Sequence, residues 1–337
     1  MLGAFTTGFA GTRLTTFERD FLRTARPCGV ILFARNISHP GQVRRLIGEA
    51  REAVGGDILV LIDQEGGRVR RLRPPHWREI PEAARYRRLG ASNRWPARDA
   101  ARLVAQLTAA DLQALGINCN CAPVLDLPVA GSHEIIGSRA FGRDIAGVVE
   151  LGRAVIEGYT AGGVLPVIKH IPGHGRATAD SHLALPTVTV NCDDLIATDF
   201  APFKALAAAP AAMSAHVVFA AIDPQRPAST SEIVHREIIR GHIGFEGLLL
   251  SDDLSMKALA PLSLRERAEA VHRADTDIAL HCNGDPTEME AVAAGSRALD
   301  GAARARFEVA LAVTRSTCPL DVAEAEACLA DVLRLSA

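Results

Sequence analysis

The sequence predicts an α/β fold, a single (β/α)8 barrel of the TIM type spanning residues 1–337, with a pair of helices at its C-terminal end. Two observations carry this reading. Eight short runs rich in aliphatic and β-branched residues alternate with longer Ala-, Leu-, Arg- and Glu-rich segments of helical period, the pattern of a parallel sheet with its crossover helices outside. No Pro/Gly/Ser-rich linker, repeat or low-complexity tract divides the 337 residues, a length that one extended barrel accommodates. An open doubly wound sheet is the alternative, but no GxGxxG follows an early strand to support it.

Taken in order, the strands are expected at 3–8, at Gly29-Val-Ile-Leu-Phe-Ala34, at Asp57-Ile-Leu-Val-Leu-Ile-Asp63 and at 117–124. The remaining four are Leu165-Pro-Val-Ile-Lys-His170, 211–217, Glu246-Gly-Leu-Leu-Leu-Ser-Asp252 and 276–282. Each is a short apolar or β-branched run, as expected of strands in a parallel sheet. Apolar residues recurring with helical period place helices at 41–54, 97–115, 145–161, 193–208, 231–242, 263–274 and 286–297, with the C-terminal pair near 302–314 and 321–334.

Composition excludes several classes of function. With 48% apolar and 23% charged residues the composition excludes disordered, collagen-like and coiled-coil classes and allows a sizeable core. A net charge of −2, from 37 basic and 39 acidic residues spread along the chain, offers no concentrated basic field, so no nucleic-acid partner is expected. No uncharged apolar run reaches the ~18 residues of a membrane span. Nor does the N-terminus, Met1-Leu-Gly-Ala-Phe-Thr-Thr-Gly-Phe-Ala10, read as a secretory signal. A cytoplasmic monomer is expected, without a membrane partner. The seven cysteines are odd in number and lack CxxC spacing, which suits a reducing compartment and provides no metal block, so no metal or other cofactor is expected. Cys119 and Cys121, two apart in an extended run, should share one strand face as small buried thiols.

Polar clusters fall at successive strand ends: Asp63-Gln-Glu-Gly-Gly-Arg68, Asp126, Lys169-His170, Ala215-His216 and Ser251-Asp-Asp253. In a barrel all would face one mouth, where this fold builds its active sites. Alternation along the strand should send Asp252 into that site and leave Asp253 to cap the following helix or pair behind it. Asp63 belongs to the site by the same logic, with Gly66 and Gly67 allowing a sharp bend after it. Lysine is scarce: only Lys169, Lys204 and Lys257 interrupt the arginines. Genome base bias explains the scarcity, yet Lys169 ends an apolar strand and needs a partner or a ligand there; Lys204 reads as a helix-surface residue. The densest segment, 169–182, carries three of the eleven histidines. Within it Asp180 could accept one ring N–H of His182 and turn the other nitrogen toward a substrate, an arrangement suited to acid/base work near neutral pH.

Together, Ile62-Asp-Gln-Glu-Gly-Gly-Arg-Val69, Lys169-His-Ile-Pro-Gly-His-Gly175 with Asp180-Ser-His182, and Ser251-Asp-Asp-Leu-Ser-Met256 resemble the family 3 glycoside hydrolases. More narrowly, they resemble the single-domain bacterial β-N-acetylhexosaminidases of peptidoglycan recycling. Gly29-Val-Ile-Leu-Phe33, Asn120-Cys-Ala-Pro-Val-Leu-Asp126, Ile136-Gly-Ser-Arg-Ala-Phe141 and Met213-Ser-Ala-His216 extend the likeness in order from about residue 29 to 284. The resemblance implies a retaining exo-β-N-acetylglucosaminidase that takes a small carbohydrate, a GlcNAc-1,6-anhydroMurNAc muropeptide. It implies Asp252 as nucleophile and His182 with Asp180 as acid/base dyad, where most glycosidases use a second carboxylate. Asp63, Arg71, Arg139, Lys169 and His170 match sugar-binding positions. Ile171 departs from the Phe that often follows the Lys-His pair. Longer family members carry an acid/base carboxylate on a further domain, and no such domain is expected here.

Three other readings stand beside this one. A family 3 β-glucosidase, or a phosphorylase using phosphate in place of water, shares the motifs. A metal-dependent barrel hydrolase would need ligands among His170, His174, His182, His216 and Asp252, without an HxH strand motif. A non-catalytic sugar-binding barrel requires Asp252 and His182 to be incidental. Glu65 is expected to be structural, paired with Arg68 or a backbone N–H.

Overall fold

The computed structural model describes residues 1–89, 94–177, 181 and 184–335. Its strands are β1 (Gly3–Thr7), β2 (Pro27–Leu32), β3 (Leu59–Ile62), β4 (Cys119–Asn120), β5 (Leu165–Ile171), β6 (Thr187–Val188), β7 (Ala211–Ser214), β8 (Val218–Phe219), β9 (Leu248–Asp253) and β10 (Ile278–Leu280). Eight of them close a barrel in the order β1-β10-β9-β7-β5-β4-β3-β2, every pair parallel, while β6 and β8 form a separate two-stranded sheet. All eight barrel strands overlap the runs expected from sequence, with β2 starting two residues before its run and β5 and β9 each ending one residue beyond theirs. The helices are α1 (Thr16–Ala25), α2 (Pro40–Val54), α3 (Ala97–Gln113), α4 (Ile145–Ala161), α5 (Cys192–Ala197), α6 (Ala201–Ala205), α7 (Leu264–Arg273), α8 (Pro286–Gly295), α9 (Gly301–Val313) and α10 (Val322–Arg334), with a π-helical segment at Val234–His242.

Several elements differ from the sequence reading, three of them for a clear local reason. Helix α1 was not anticipated; it is set by a capping box in which Thr15 accepts from Glu18 N–H and Glu18 reaches back to the Thr15 N–H, with Phe21 and Leu22 buried. The span 193–208 splits into α5 and α6 because Thr198 leaves helical geometry and Pro202 opens the next helix. Strand β4 is regular for two residues only. Beyond it the chain still bonds to β5, from Val167 N–H to Ala122 O (3.1 Å), Lys169 N–H to Pro123 O (3.1 Å) and Leu125 N–H to Lys169 O (2.8 Å), but Pro123 has no N–H to offer. This irregular stretch carries Asp126 up beside the end of β5.

Alternation along the strands builds two cores. Leu59, Leu61, Cys119, Cys121, Leu165, Val167, Met213, Leu248 and Leu250 fill the barrel lumen, while Val60, Ile62, Ile168, Ala212 and Leu249 face the helices. Cys119 and Cys121 do share a face. Leu299, Phe307 and Leu311, at and along α9, join the lumen cluster, and Leu299 N–H bonds to Leu2 O beside the start of β1. Helix α9 therefore closes the N-terminal end of the barrel and leaves the C-terminal end as the mouth. At the periphery, Arg78 bridges Asp111 on α3 (2.8 Å) to Glu326 on α10 (3.0 Å). Among the described residues no helix is long and apolar enough to cross a membrane.

Candidate active site

Six residues singled out from sequence, Asp63, Arg71, Arg139, Lys169, His170 and Asp252, line one cavity of about 250 Å³ at the barrel mouth. That is near the small end of the ~300–1,000 Å³ usual for small-molecule sites and suits one sugar ring more than a large ligand. The in-facing parity of Leu59 and Leu61 continues to Asp63, and that of Leu248 and Leu250 continues to Asp252. Asp253 points the other way, as alternation requires. Its carboxylate accepts from Ser255 N–H (3.0 Å) and Cys282 N–H (3.1 Å), capping the turn after β9 and tying it to the strand next to it. Asp180 and His182 lie outside the described residues.

The cavity wall is a chain of alternating charges. Lys169 Nζ donates to Asp63 Oδ1 (2.8 Å) and to Glu65 Oε1 (2.7 Å). Arg71 Nη2 donates to the other oxygen of Asp63 (3.0 Å), and Arg139 holds Glu65 through a fork of two 2.8 Å bonds. The Arg71 guanidinium also lies 5.0 Å from the Phe33 ring centre, with Arg35 at 4.9 Å from the same ring. Burial alone would raise the Asp63 carboxyl, but Lys169 and Arg71 outweigh it and hold the group far below the usual carboxylate range. Burial likewise opposes ionisation of Glu65, and Lys169 and Arg139 override it, bringing the group down to about 2. Lys169, only 2% exposed, would lose its proton more easily through burial, yet Asp63 and Glu65 push its pKa above the normal lysine value.

Glu65 therefore has different partners from those expected. It pairs with Arg139 and Lys169, while Arg68 donates instead to the carbonyls of Glu134 (2.8 Å) and Ile135 (2.5 Å). The sharp turn at Gly66 and Gly67, both at positive φ, swings Arg68 out to the rim and folds Glu65 inward. Spacing along the chain could not show this, because Arg139 is 74 residues away.

Asp252 is different in kind. It accepts from the Asp253 N–H (2.8 Å) and has no salt-bridge partner among the described residues. Burial raises its pKa, but His170, His216, that N–H and Lys169 together leave it below the ordinary aspartate value. It is an ionised carboxylate at the cavity wall, with one oxygen unspent among the described residues. His216 stands behind it and does not line the cavity: its Nδ1 meets Ser229 Oγ (2.7 Å) and its Nε2 meets the Asp253 carbonyl (3.0 Å). Its pKa is lowered, chiefly by burial, so it is neutral at pH 7.

Three residues take parts in the site that the sequence reading had not given them. Asp126, fully buried, accepts from His170 and His174. His174 lines the cavity and meets Ser181 Oγ through Nε2 (3.2 Å); burial lowers its pKa to about 4. Ser181 lines the cavity as well. The sequence did offer a signal for Asp126, a carboxylate just past the fourth strand.

The profile of the glycosyl hydrolase family 3 N terminal domain matches residues 10–315. The chain belongs to glycosyl hydrolase family 3. A β-hexosaminidase of Pseudomonas aeruginosa is 39% identical over 304 residues, covering 88% of this chain and 87% of that protein. One from Alkalilimnicola ehrlichii is 40% identical over 290 residues, covering 84% and 81%. Among solved structures, NagZ from Neisseria gonorrhoeae in complex with N-trifluoroacetyl-D-glucosamine superposes with a TM-score of 0.87 at 32% identity, over 100% of this chain and 98% of that one. A family 3 β-N-acetylglucosaminidase from Paenibacillus also reaches 0.87, at 28% identity, over 99% of this chain and 67% of that one. These family 3 likenesses run across the whole barrel, including every strand end that lines the cavity.

Proposed function

We propose that the chain is a retaining exo-β-N-acetylglucosaminidase, acting as a single chain on small glycosides with a terminal non-reducing N-acetylglucosamine. The observation that carries this is Asp252: an ionised carboxylate without an ion-pair partner among the described residues, facing a sugar-sized cavity in which Asp63, Glu65, Lys169, Arg71 and Arg139 are already paired with one another. In this reading Asp63, Arg71, Arg139, Lys169 and His170 hold the sugar hydroxyls by charge-assisted hydrogen bonds. Asp252 attacks the anomeric carbon and forms the glycosyl-enzyme. His182, oriented by Asp180, protonates the leaving oxygen and then takes a proton from the attacking water. The names of the relatives, β-hexosaminidase and β-N-acetylglucosaminidase, favour N-acetylglucosamine over glucose. The motif resemblance extends this to muropeptides of cytoplasmic cell-wall recycling.

The test is hydrolysis of aryl β-N-acetylglucosaminide and aryl β-glucoside side by side, by the native protein and by Asp252→Ala and His182→Ala. Faster turnover of the N-acetylglucosaminide, lost in Asp252→Ala, is expected. An Asp252→Ala protein as active as the native one would end the mechanism, and a faster glucoside rate would end the substrate assignment.

A further inference from the structure

Asp126 has no exposure and spends both oxygens on one short stretch of chain. Oδ1 accepts the backbone N–H of His170 (3.2 Å) and of His174 (2.7 Å), and Oδ2 lies 2.6 Å from His170 Nδ1. We infer that Asp126 is a positioning residue that keeps a proton on His170 Nδ1 and thereby presents Nε2 to the sugar cavity. The inference rests on the reading of His170 as a sugar-binding side chain.

The proton assignment follows from acceptor counting. Burial disfavours the Asp126 anion, yet His170 and His174 offset this and leave its pKa below the ordinary value, so the carboxylate is ionised and can only accept. The proton in the 2.6 Å contact therefore sits on Nδ1. His170 lines the cavity, and with Nδ1 committed to Asp126 its remaining polar atom is Nε2, which makes no hydrogen bond among the described residues. The same carboxylate fixes where the loop after β5 begins, because it holds the His174 N–H. One residue further on, a Cβ on Gly175 would fall 2.0 Å from Leu127 O, so the loop is seated on the 126–127 backbone at two successive points.

The isosteric variant Asp126→Asn has a determined orientation. Two backbone N–H groups demand an acceptor at the Oδ1 position, so the amide oxygen stays there and the NH2 faces His170 Nδ1. An NH2 cannot accept, so Nδ1 must, and the proton moves to Nε2. A group that receives a sugar hydroxyl becomes one that donates, with little change of shape.

The experiment is a long-range 1H–15N spectrum of the histidine side chains at neutral pH, with His170 assigned by its loss in His170→Gln. Alongside it, kcat/KM on an aryl β-N-acetylglucosaminide is measured for Asp126→Asn, His170→Gln and the double variant. The native protein should show Nδ1 protonated and Asp126→Asn should show the proton on Nε2, with kcat/KM lower by about 10- to 100-fold, as for other residues that act through a histidine. In the His170→Gln background Asp126→Asn should add no more than about twofold. An unprotonated Nδ1 in the native protein, an unchanged tautomer in Asp126→Asn, or a full independent loss on top of His170→Gln would overturn the inference. If Asp126→Asn fails to fold, the native spectrum alone decides. Should His170→Gln leave kcat/KM intact, the sugar-binding reading of His170 fails, and the tautomer still decides the role of Asp126.

Discussion

Glu65→Gln removes one negative charge from the centre of the cavity wall while conserving shape. In the native protein Glu65 is held at about 2, against an ordinary 4.5, and its side chain is only 7% exposed, so solvent screening removes little of the effect. At ~1.4 kcal/mol per pKa unit this amounts to about 3 kcal/mol, in line with the ~3–5 kcal/mol lost when one member of a buried ion pair is deleted. With an unfolding entropy of ~2.1 cal/mol/K per residue over this chain, the melting temperature at pH 7 should fall by about 4 °C. The pH dependence has a definite sign. Because the folded pKa is depressed, the contribution is complete above pH ~4.5 and declines as pH falls toward 2. At pH 4 the native protein should already have lost about 1 kcal/mol of it, so the gap between native and Glu65→Gln narrows there. Thermal unfolding followed by circular dichroism at both pH values reads this directly. A melting temperature at pH 7 within about 1 °C of native, or a gap that widens at pH 4, would show that Glu65 is not stabilised by Lys169 and Arg139 as described.

Lys169→Met keeps the bulk of the side chain but leaves Asp63 and Glu65 without their shared cation. Stability should fall by ~3–5 kcal/mol and kcat/KM with it, and denaturant unfolding with normal stability would refute the pairing. Leu250→Ala hollows the fully buried barrel lumen and should cost ~2–5 kcal/mol, which differential scanning calorimetry would report; no shift in melting temperature would contradict the packing. In Gly175→Ala the new methyl meets the Leu127 backbone, which cannot rotate away, so the loop after β5 must move. A displacement near 1 Å can cost about 100-fold in rate, and unaltered kcat/KM would show that the loop's seat does not matter.

The barrel was legible because its signal is distributed: eight apolar runs alternating with helical segments survive an error at any one of them. Helix α1 was not, since its capping box and two buried residues, Phe21 and Leu22, make only a short pattern. The strand ends named Asp63, Lys169 and Asp252 correctly as neighbours in space because parity is local and continues from the lumen residues before them. What the sequence could not show is which charge meets which. Arg68, three residues from Glu65, is the obvious partner by spacing, yet the two glycines between them turn it away and Arg139 takes its place. The same holds for Asp126 and His170, which are 44 residues apart and meet only because β4 and β5 are adjacent in the barrel.

The lone buried lysine in an arginine-rich chain fits this geometry. An ammonium has three donors on a compact head, and Lys169 spends two of them on Asp63 and Glu65, leaving one for a ligand hydroxyl. A guanidinium is planar and wider, and matches a single carboxylate side-on, which is how Arg139 meets Glu65. The wall is thus ordered by its own pairs before a sugar enters, so binding does not have to immobilise long flexible side chains. It is also close to charge balance, which suits a neutral polyhydroxylated ring. Asp252 stands outside this compensation. Its charge is supported from nearby groups but, among the described residues, neutralised by no direct partner, and that separates the group placed to react with the sugar from the groups that hold it.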